Sequence, residues 1–199
     1  MLGGYYSKDE RQLNACTRYN IVSEKWQSLP PMIFPRENAA ACAINETQVI
    51  VAGGRSAGGQ LTDSVELYDL RENTWKVMTT KLSAPREHVS VISAQKDRAI
   101  FFGGCDEHGN EVGTVEEIDF LKVRNSIVKL APMKTPRAKP SAFLVNDVIY
   151  VLGSALDRGK QQPSEGEKYL LKEDRWRPFF QSAEHCRGMS IGPAALLYE

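Results

Sequence analysis

Four arginines recur at intervals of about 50 residues, and their side chains could bind carboxylates. They are Arg36, Arg86, Arg137 and Arg187, the first three each preceded by proline. A guanidinium is planar and always charged, and its five N–H donors suit the two oxygens of a carboxylate. We call these four the linker arginines. If the fold gathers them in one place, they predict a binding site for an acidic partner segment.

Other candidate chemistry is weaker. Three carboxylates of one loop could include an acid/base pair for sugar chemistry, namely Asp106, Glu107 and Glu111. Cys105 with His108, and His185 with Cys186, do not supply the three or four converging ligands that zinc needs. Neither a G-x-S-x-G nucleophile turn nor a G-x-x-x-x-G-K-[ST] phosphate loop occurs. The sequence therefore predicts no catalytic residue, no metal site and no cofactor.

The composition excludes several classes of binding partner. The 199 residues include 25 basic and 25 acidic ones, so no net charge favours nucleic acid or an anionic membrane. No apolar run approaches the roughly 20 residues of a membrane helix, and the first residues lack the pattern of a secretory signal. The four cysteines lie far apart without a C-x-x-C motif, which indicates reduced thiols. A cytoplasmic protein is expected.

An internal repeat positions the arginines. Glycine pairs recur at Gly3-Gly4, Gly53-Gly54 and Gly103-Gly104, followed by Gly153 with Ser154. After each pair comes a tyrosine with a tryptophan seven residues later, as in Tyr19–Trp26, Tyr68–Trp75 and Tyr169–Trp176; in the third unit Ile118 and Asn125 replace them. The linker arginine follows. A period of about 50 residues carrying several landmarks predicts a repeat architecture.

Each period predicts four short antiparallel strands. Two apolar runs flank Asn146-Asp147, which is typical of a two-residue hairpin, and residues 64–68 and 114–118 predict the third strands. The fourth strand begins near the tryptophan, as at 74–78. No segment has a sustained 3.6-residue apolar period, so little helix is expected.

Such sheets bury both faces by stacking around an axis, which predicts an all-β propeller of about four four-stranded blades. The small residues of each first strand suit the crowded axis, and the tyrosines and tryptophans would lie between blades. The linkers and the loops after the glycine pairs emerge on one face, where the linker arginines would ring a central channel. Alternatively, each linker arginine bridges adjacent blades by hydrogen bonds to backbone carbonyls.

The glycine pairs, the Tyr/Trp spacing and the linker arginines together resemble the kelch repeat over essentially the whole chain. Kelch substrate receptors grip acidic motifs with arginines at the linker position, with residues just after the glycine pair and with an arginine before the tyrosine. The resemblance therefore implicates Tyr5, Arg55 and Arg18 beside the linker arginines. Positions that depart from this pattern are Cys105, Ala155, Leu67, Glu117 and Lys168.

The repeats fall at approximately 1–35, 36–85, 86–136 and 137–186, in a single domain. Residues 187–199 resemble the first strand of a further or closing blade. The chain is accordingly either a complete four-bladed ring or part of a propeller of five to seven blades.

The resemblance implies a non-catalytic protein–protein interaction module, and one form of it is the substrate-recognition domain of a ubiquitin-ligase adaptor. Two alternatives stay open: a propeller enzyme acting on a sugar or another small polar molecule, and an actin-associated kelch protein. A fold alone does not decide among them.

Overall fold

The computed structural model describes residues 1–94, 97–121, 127–153 and 166–180. The predicted strand in 187–199, Arg187, Asn125, Ala155 and the pair His185–Cys186 lie outside these residues.

The strands form four consecutive sheets, which we number as blades. Blade 1 contains β1 (Leu2–Tyr6), β2 (Arg11–Asn20) and β3 (Lys25–Leu29). Blade 2 contains β4 (Ala40–Ala43), β5 (Gln48–Ala52), β6 (Val65–Asp69) and β7 (Thr74–Val77). Blade 3 contains β8 (Ser90–Ser93), β9 (Arg98–Phe102), β10 (Val115–Asp119) and β11 (Ile127–Leu130). Blade 4 contains β12 (Ser141–Val145), β13 (Val148–Leu152), β14 (Gly166–Leu170) and β15 (Arg175–Phe180).

Within every blade the strands pair antiparallel in chain order, so the connectivity is that of four successive meanders. Blades 2 to 4 have four strands each, and blade 1 has three. In the described part of the chain the only helical segment is a 3-10 turn at Ala57–Gly59. No helix among these residues is long and apolar enough to cross a membrane. The all-β prediction is confirmed. Asn146 in the β12–β13 hairpin has φ 55°, as that turn requires.

The blades pack face against face through equivalent seams. Between blades 1 and 2, Cys16 and Met32 are buried against Val51, Tyr68 and Trp75. The indole Nε1 of Trp75 donates to the carbonyl of Pro30 at 3.0 Å, and that of Trp176 donates to Ala131 at 2.7 Å. The two tryptophans therefore occupy matching positions, each bound to the linker of the preceding blade. Large rings placed there bury extensive apolar area.

Blade 1 departs from this pattern on the face that points away from blade 2. Tyr19 and Trp26 keep the ring pairing of the other blades, with centroids 5.3 Å apart, but Trp26 is 64% exposed. Trp75 and Trp176 are 8% and 4% exposed. The third unit replaces the tyrosine with Ile118, which is nevertheless fully buried in the seam between blades 2 and 3.

The first glycine of each pair, at Gly3, Gly53 and Gly103, lies against the backbone of the next linker. Gly103 has φ +59°, and a Cβ at this position would lie 2.3 Å from the carbonyl oxygen of Arg137 in the next linker. A side chain would thus need both a left-handed backbone and a displaced linker. This contact explains why a glycine closes the second strand of the repeat.

We predict that Gly103→Ala lowers the free energy of unfolding by about 2–3 kcal/mol, because left-handed strain and the clash with Arg137 combine. Gly58→Ala is the matched control: Gly58 has φ +75° with open space around it, so only about 1 kcal/mol of strain is expected. Urea denaturation measures both changes. Equal losses for the two variants would show that the close approach is unimportant.

Candidate functional site

The three linker arginines that the structure describes are buried inside their blades. Arg36, Arg86 and Arg137 are 1%, 2% and 1% exposed. Each forms an ion pair with a glutamate on the third strand of the same blade, 30 residues further along the chain. The pairs are Arg36–Glu66 at 2.9 Å, Arg86–Glu116 at 2.8 Å and Arg137–Glu167 at 3.3 Å. The prediction that these arginines are available at the mouth of the channel is wrong, because each guanidinium is buried and paired with a glutamate. A buried charge needs such a counter-charge.

The guanidinium groups bind within their own blade, whereas the main chain of the same residues contacts the preceding blade. The guanidinium of Arg36 donates to the carbonyl of Gly53 at 2.9 Å, and that of Arg137 donates to Gly153 at 3.0 Å. Their backbone carbonyls accept hydrogen bonds from the preceding blade, since the amides of Gly4 and Gly104 donate to Arg36 and Arg137 at 2.8 Å each. The alternative interpretation, a side-chain bridge to carbonyls of an adjacent blade, does not describe Arg36, because its guanidinium donates to Gly53 and Ser64 of its own blade.

The buried glutamates also fix the linkers. Glu66 accepts the backbone amides of Ile33 and Phe34 at 2.7 and 3.2 Å, in addition to two donors of Arg36. Glu167 likewise accepts the amides of Lys134 and Thr135 at 2.9 and 3.0 Å. Each carboxylate therefore accepts hydrogen bonds from both a linker and its arginine. Burial lowers the pKa of Arg86, and the adjacent Glu116 opposes that shift.

The residues just after the linker arginines lie side by side, with Asn38 and Lys139 exposed and Glu87 buried. We define the mouth cluster as Glu37, Asn38, Arg55, Glu87, His88 and Lys139. Three of its members, each two residues after a linker arginine, have left-handed backbones: Asn38 (φ 53°), His88 (φ 57°) and Lys139 (φ 51°). The amide of His88 donates to the carbonyl of Asn38 at 2.9 Å, and the amide of Lys139 donates to that of His88 at 2.8 Å. This chain of hydrogen bonds links blades 2, 3 and 4 where their inner strands begin.

Arg55 joins the mouth cluster from the loop after Gly53-Gly54. Its Nη2 donates to Glu87 at 2.5 Å, which raises the pKa of the guanidinium, and its Nη1 donates to the carbonyl of Gly59 at 2.9 Å. Glu87 also accepts the side-chain amide of Asn38 at 2.9 Å, and its carboxylate lies 3.7 Å from Nε2 of His88. One third of the Arg55 side chain is exposed, since its relative accessibility is 33%.

Of the other candidate residues, Tyr5 lies near the mouth cluster and Arg18 does not. Tyr5 is 47% exposed and pairs in the β1–β2 hairpin with Gln12, whose amide donates to Glu37 at 2.9 Å. Arg18 lies on β2 about 16 Å along the strand from the glycine pair. Its Nε donates to Gln27 of β3 at 2.9 Å.

The loop carboxylates of blade 3 do not converge. Asp106 accepts the backbone amides of Asn110 and His108 at 2.8 and 2.9 Å, and these bonds, that of Asn110 first, hold the pKa of its carboxyl below the usual range. Glu107 is highly exposed, and Glu111 accepts the amide of Ala138 at 3.2 Å. Throughout 1–94, 97–121, 127–153 and 166–180, no three or more His, Cys, Asp and Glu side chains cluster as metal ligands would.

Antiparallel blades that stack through repeated seams, with all linkers on one side, define a β-propeller. The solved structure entitled "Structure of YjhT" matches this architecture with a TM-score of 0.75 at 14% identity, covering 90% of this chain and 66% of that one. A family model described as the KLHDC2/KLHL20/DRC7 Kelch-repeats domain matches residues 1–188. The chain belongs to the kelch-repeat family.

Curated relatives support the same assignment. Human Kelch-like protein 34 is 27% identical over 182 residues, which are 87% of this chain and 27% of that protein. The F-box/kelch-repeat protein OR23 of Arabidopsis thaliana is 39% identical over 69 residues, 31% of this chain and 16% of its own length. Kelch-like protein 23 of Homo sapiens is 26% identical over 177 residues, 88% of this chain and 29% of that protein. The chain thus spans less than a third of the length of these relatives.

Proposed function

We propose that this kelch domain is a non-catalytic module that binds a partner protein through the mouth cluster and Tyr5. The observation that carries the proposal is the backbone-linked row Asn38–His88–Lys139, in which three polar residues adopt left-handed conformations side by side and Asn38 and Lys139 are exposed. Such strain at non-glycine residues costs free energy and is often retained at binding sites. Tyr5 adds an exposed ring beside the row, and tyrosines are frequent anchors in interfaces.

The acidic-peptide hypothesis takes a different form from the one based on the linker arginines. The positive groups available to a partner are Lys139 and the part-exposed Arg55, and they stand beside the carboxylates of Glu37 and Glu87. We expect a partner carboxylate to contact Lys139 first and to reach Arg55 only by competing with Glu87.

The relatives' names suggest the setting in which such a module works. They join kelch repeats to an F-box or, in an ectromelia virus protein, to a BTB domain. We propose by analogy that the chain is the substrate-recognition part of a ubiquitin-ligase adaptor. The enzymatic alternative has less support, because Asp106 and Glu111 are engaged in loop and linker hydrogen bonds.

Affinity capture from cytoplasmic extract tests the binding surface. We predict that Tyr5→Ala/Lys139→Glu, which changes two exposed side chains, reduces recovery of specific partners about tenfold, equivalent to roughly 1.4 kcal/mol. The matched control is Ile21→Ala/Arg71→Glu, which changes exposed residues in the turns at the opposite edge of the blades. Unchanged recovery with the mouth variant, or equal loss with the control, would contradict the assignment.

A further inference from the structure

Glu87 gathers groups from two blades into one ionic contact. Arg55 comes from blade 2 and Asn38 from the linker that leads into it, whereas Glu87 and His88 lead into blade 3. The Glu87 side chain is 7% exposed, so the contact to Arg55 at 2.5 Å is shielded from water on the carboxylate side. The carboxylate therefore acts as a clasp across the seam between blades 2 and 3.

The next seam shows that a clasp is not needed for packing. At the positions of Arg55 and Glu87, the seam between blades 3 and 4 has Cys105 and Ala138, which are 2% and 0% exposed. The backbone around these positions is similar in blades 2 and 3, since Glu87 forms an antiparallel β-bridge with Cys105 just as Glu37 does with Arg55. A buried ion pair can often be replaced by apolar groups without loss of stability. The charged version between blades 2 and 3 therefore calls for a role other than packing.

His88 is placed to disturb the clasp. Its backbone is held on both sides by Asn38 and Lys139, and its side chain is 17% exposed. The charged groups around the imidazole are Glu87 beside it, Lys139 from the next linker, and Arg55 and Glu37 from blade 2. Burial lowers the pKa of His88, Lys139 and Arg55 lower it further, and Glu87 and Glu37 oppose them. An imidazolium here is short of water and interacts with two carboxylates, Glu87 and Glu37, as well as with two cations, Lys139 and Arg55.

We propose that protonation of His88 opens this clasp, drawing Glu87 away from Arg55 and leaving the Arg55 guanidinium available to a carboxylate of the partner. The clasp would make the mouth cluster pH-sensitive, and this part of the inference rests on the proposed partner-binding function. The loosening of the seam does not depend on it.

The direction of the pH effect follows from linkage. Because the folded pKa of His88 lies below the ordinary value of 6.5, the unfolded chain binds the proton first as the pH falls. Stability is complete above about pH 6.5 and decreases below it until the folded imidazole is also protonated. Burial raises the pKa of Glu87, but the hydrogen bonds from Arg55 and Asn38, with the nearby His88, outweigh burial and lower it below 4.5.

Urea denaturation of the full chain at pH 7.5 and 5.5 tests the seam. His88→Asn keeps the left-handed conformation, because Asn38 occupies the equivalent position in blade 2. We expect the urea midpoint of the wild type to be lower at pH 5.5 than at pH 7.5. The midpoint of His88→Asn should fall clearly less between these two pH values. His108→Asn, at a histidine that is 74% exposed, should behave as the wild type does. An equal loss for His88→Asn and wild type would overturn the proposal.

Binding of a fluorescent hexaglutamate peptide tests the availability of Arg55. We expect the wild type to bind severalfold more tightly at pH 5.5 than at pH 7.5, and His88→Asn to show little change. Glu87→Gln should bind at pH 7.5 about as tightly as the wild type does at pH 5.5. Equal affinities of wild type and Glu87→Gln at pH 7.5 would contradict release of Arg55. The urea result reports on protonation of His88 beside the clasp even if the capture experiment disproves the binding surface.

Discussion

Replacing Glu66 with alanine is expected to lower the free energy of unfolding by about 3–5 kcal/mol, the range for breaking a buried ion pair from one side. Glu66 and Arg36 are both fully buried, so the substitution strands a guanidinium without its counter-charge. It also leaves the amides of Ile33 and Phe34 without their acceptor. Urea denaturation followed by tryptophan fluorescence measures the loss.

The control for this substitution is Glu72→Ala. Glu72 pairs with Lys76 at 2.7 Å, but both side chains are more than half exposed, at 55% and 60%. Exposed pairs contribute little, so a change below about 1 kcal/mol is expected. Similar losses for Glu66→Ala and Glu72→Ala would show that the buried glutamate does not hold the linker.

Replacing Trp176 with alanine should also cost about 3–5 kcal/mol, as large-to-small substitutions of buried aromatic residues do. Its ring packs against Tyr169 at 5.1 Å and meets the edge of Phe102 of blade 3 at 6.2 Å. The indole N–H, donated to Ala131, disappears as well. The variant would therefore open the seam between blades 3 and 4, and calorimetry should show a correspondingly lower Tm.

The chain supplies its own comparison in Trp26. This residue has the same position in the repeat and the same pairing with a tyrosine, but it is 64% exposed. Trp26→Ala should cost less than about 1 kcal/mol, since little area returns to water. Equal destabilisation by the Trp26 and Trp176 substitutions would show that burial in a seam does not account for the contribution of Trp176.

The sequence predicted the repeat and its strands because both depend on local signals. Gly103 has to be glycine for a steric reason, and Asn146 marks a turn that requires positive φ. Trp75 and Trp176 are large rings at a fixed spacing, so their common seam position could be predicted before any coordinates.

The burial of the linker arginines could not be predicted in the same way. Arg36 is recognisable in the sequence, but its counter-charge, Glu66, lies 30 residues away on another strand and looks like an ordinary polar position. The available signal was the recurrence of glutamate two residues before Tyr68, Ile118 and Tyr169. A charge repeated at a position facing a blade seam indicates a buried partner.

The mouth cluster was missed for a related reason. Asn38, His88 and Lys139 share a left-handed backbone, which asparagine and histidine adopt more often than lysine does, so the three residues show no common type. The pairing of Arg55 with Glu87 crosses a seam, and its replacement by Cys105 and Ala138 is visible only once the blades are superposed. Arg55 itself was identified from the resemblance to kelch receptors.

A double-mutant cycle on Arg36 and Glu66 tests most directly whether the linker arginine is fixed by its buried glutamate. The substitutions Arg36→Met and Glu66→Leu, singly and together, are compared by urea denaturation. We predict a coupling free energy of about 1–3 kcal/mol, with the double variant more stable than the two single losses would add up to. Strictly additive losses would contradict the account, because Arg36 and Glu66 would then stabilise the blade independently of each other.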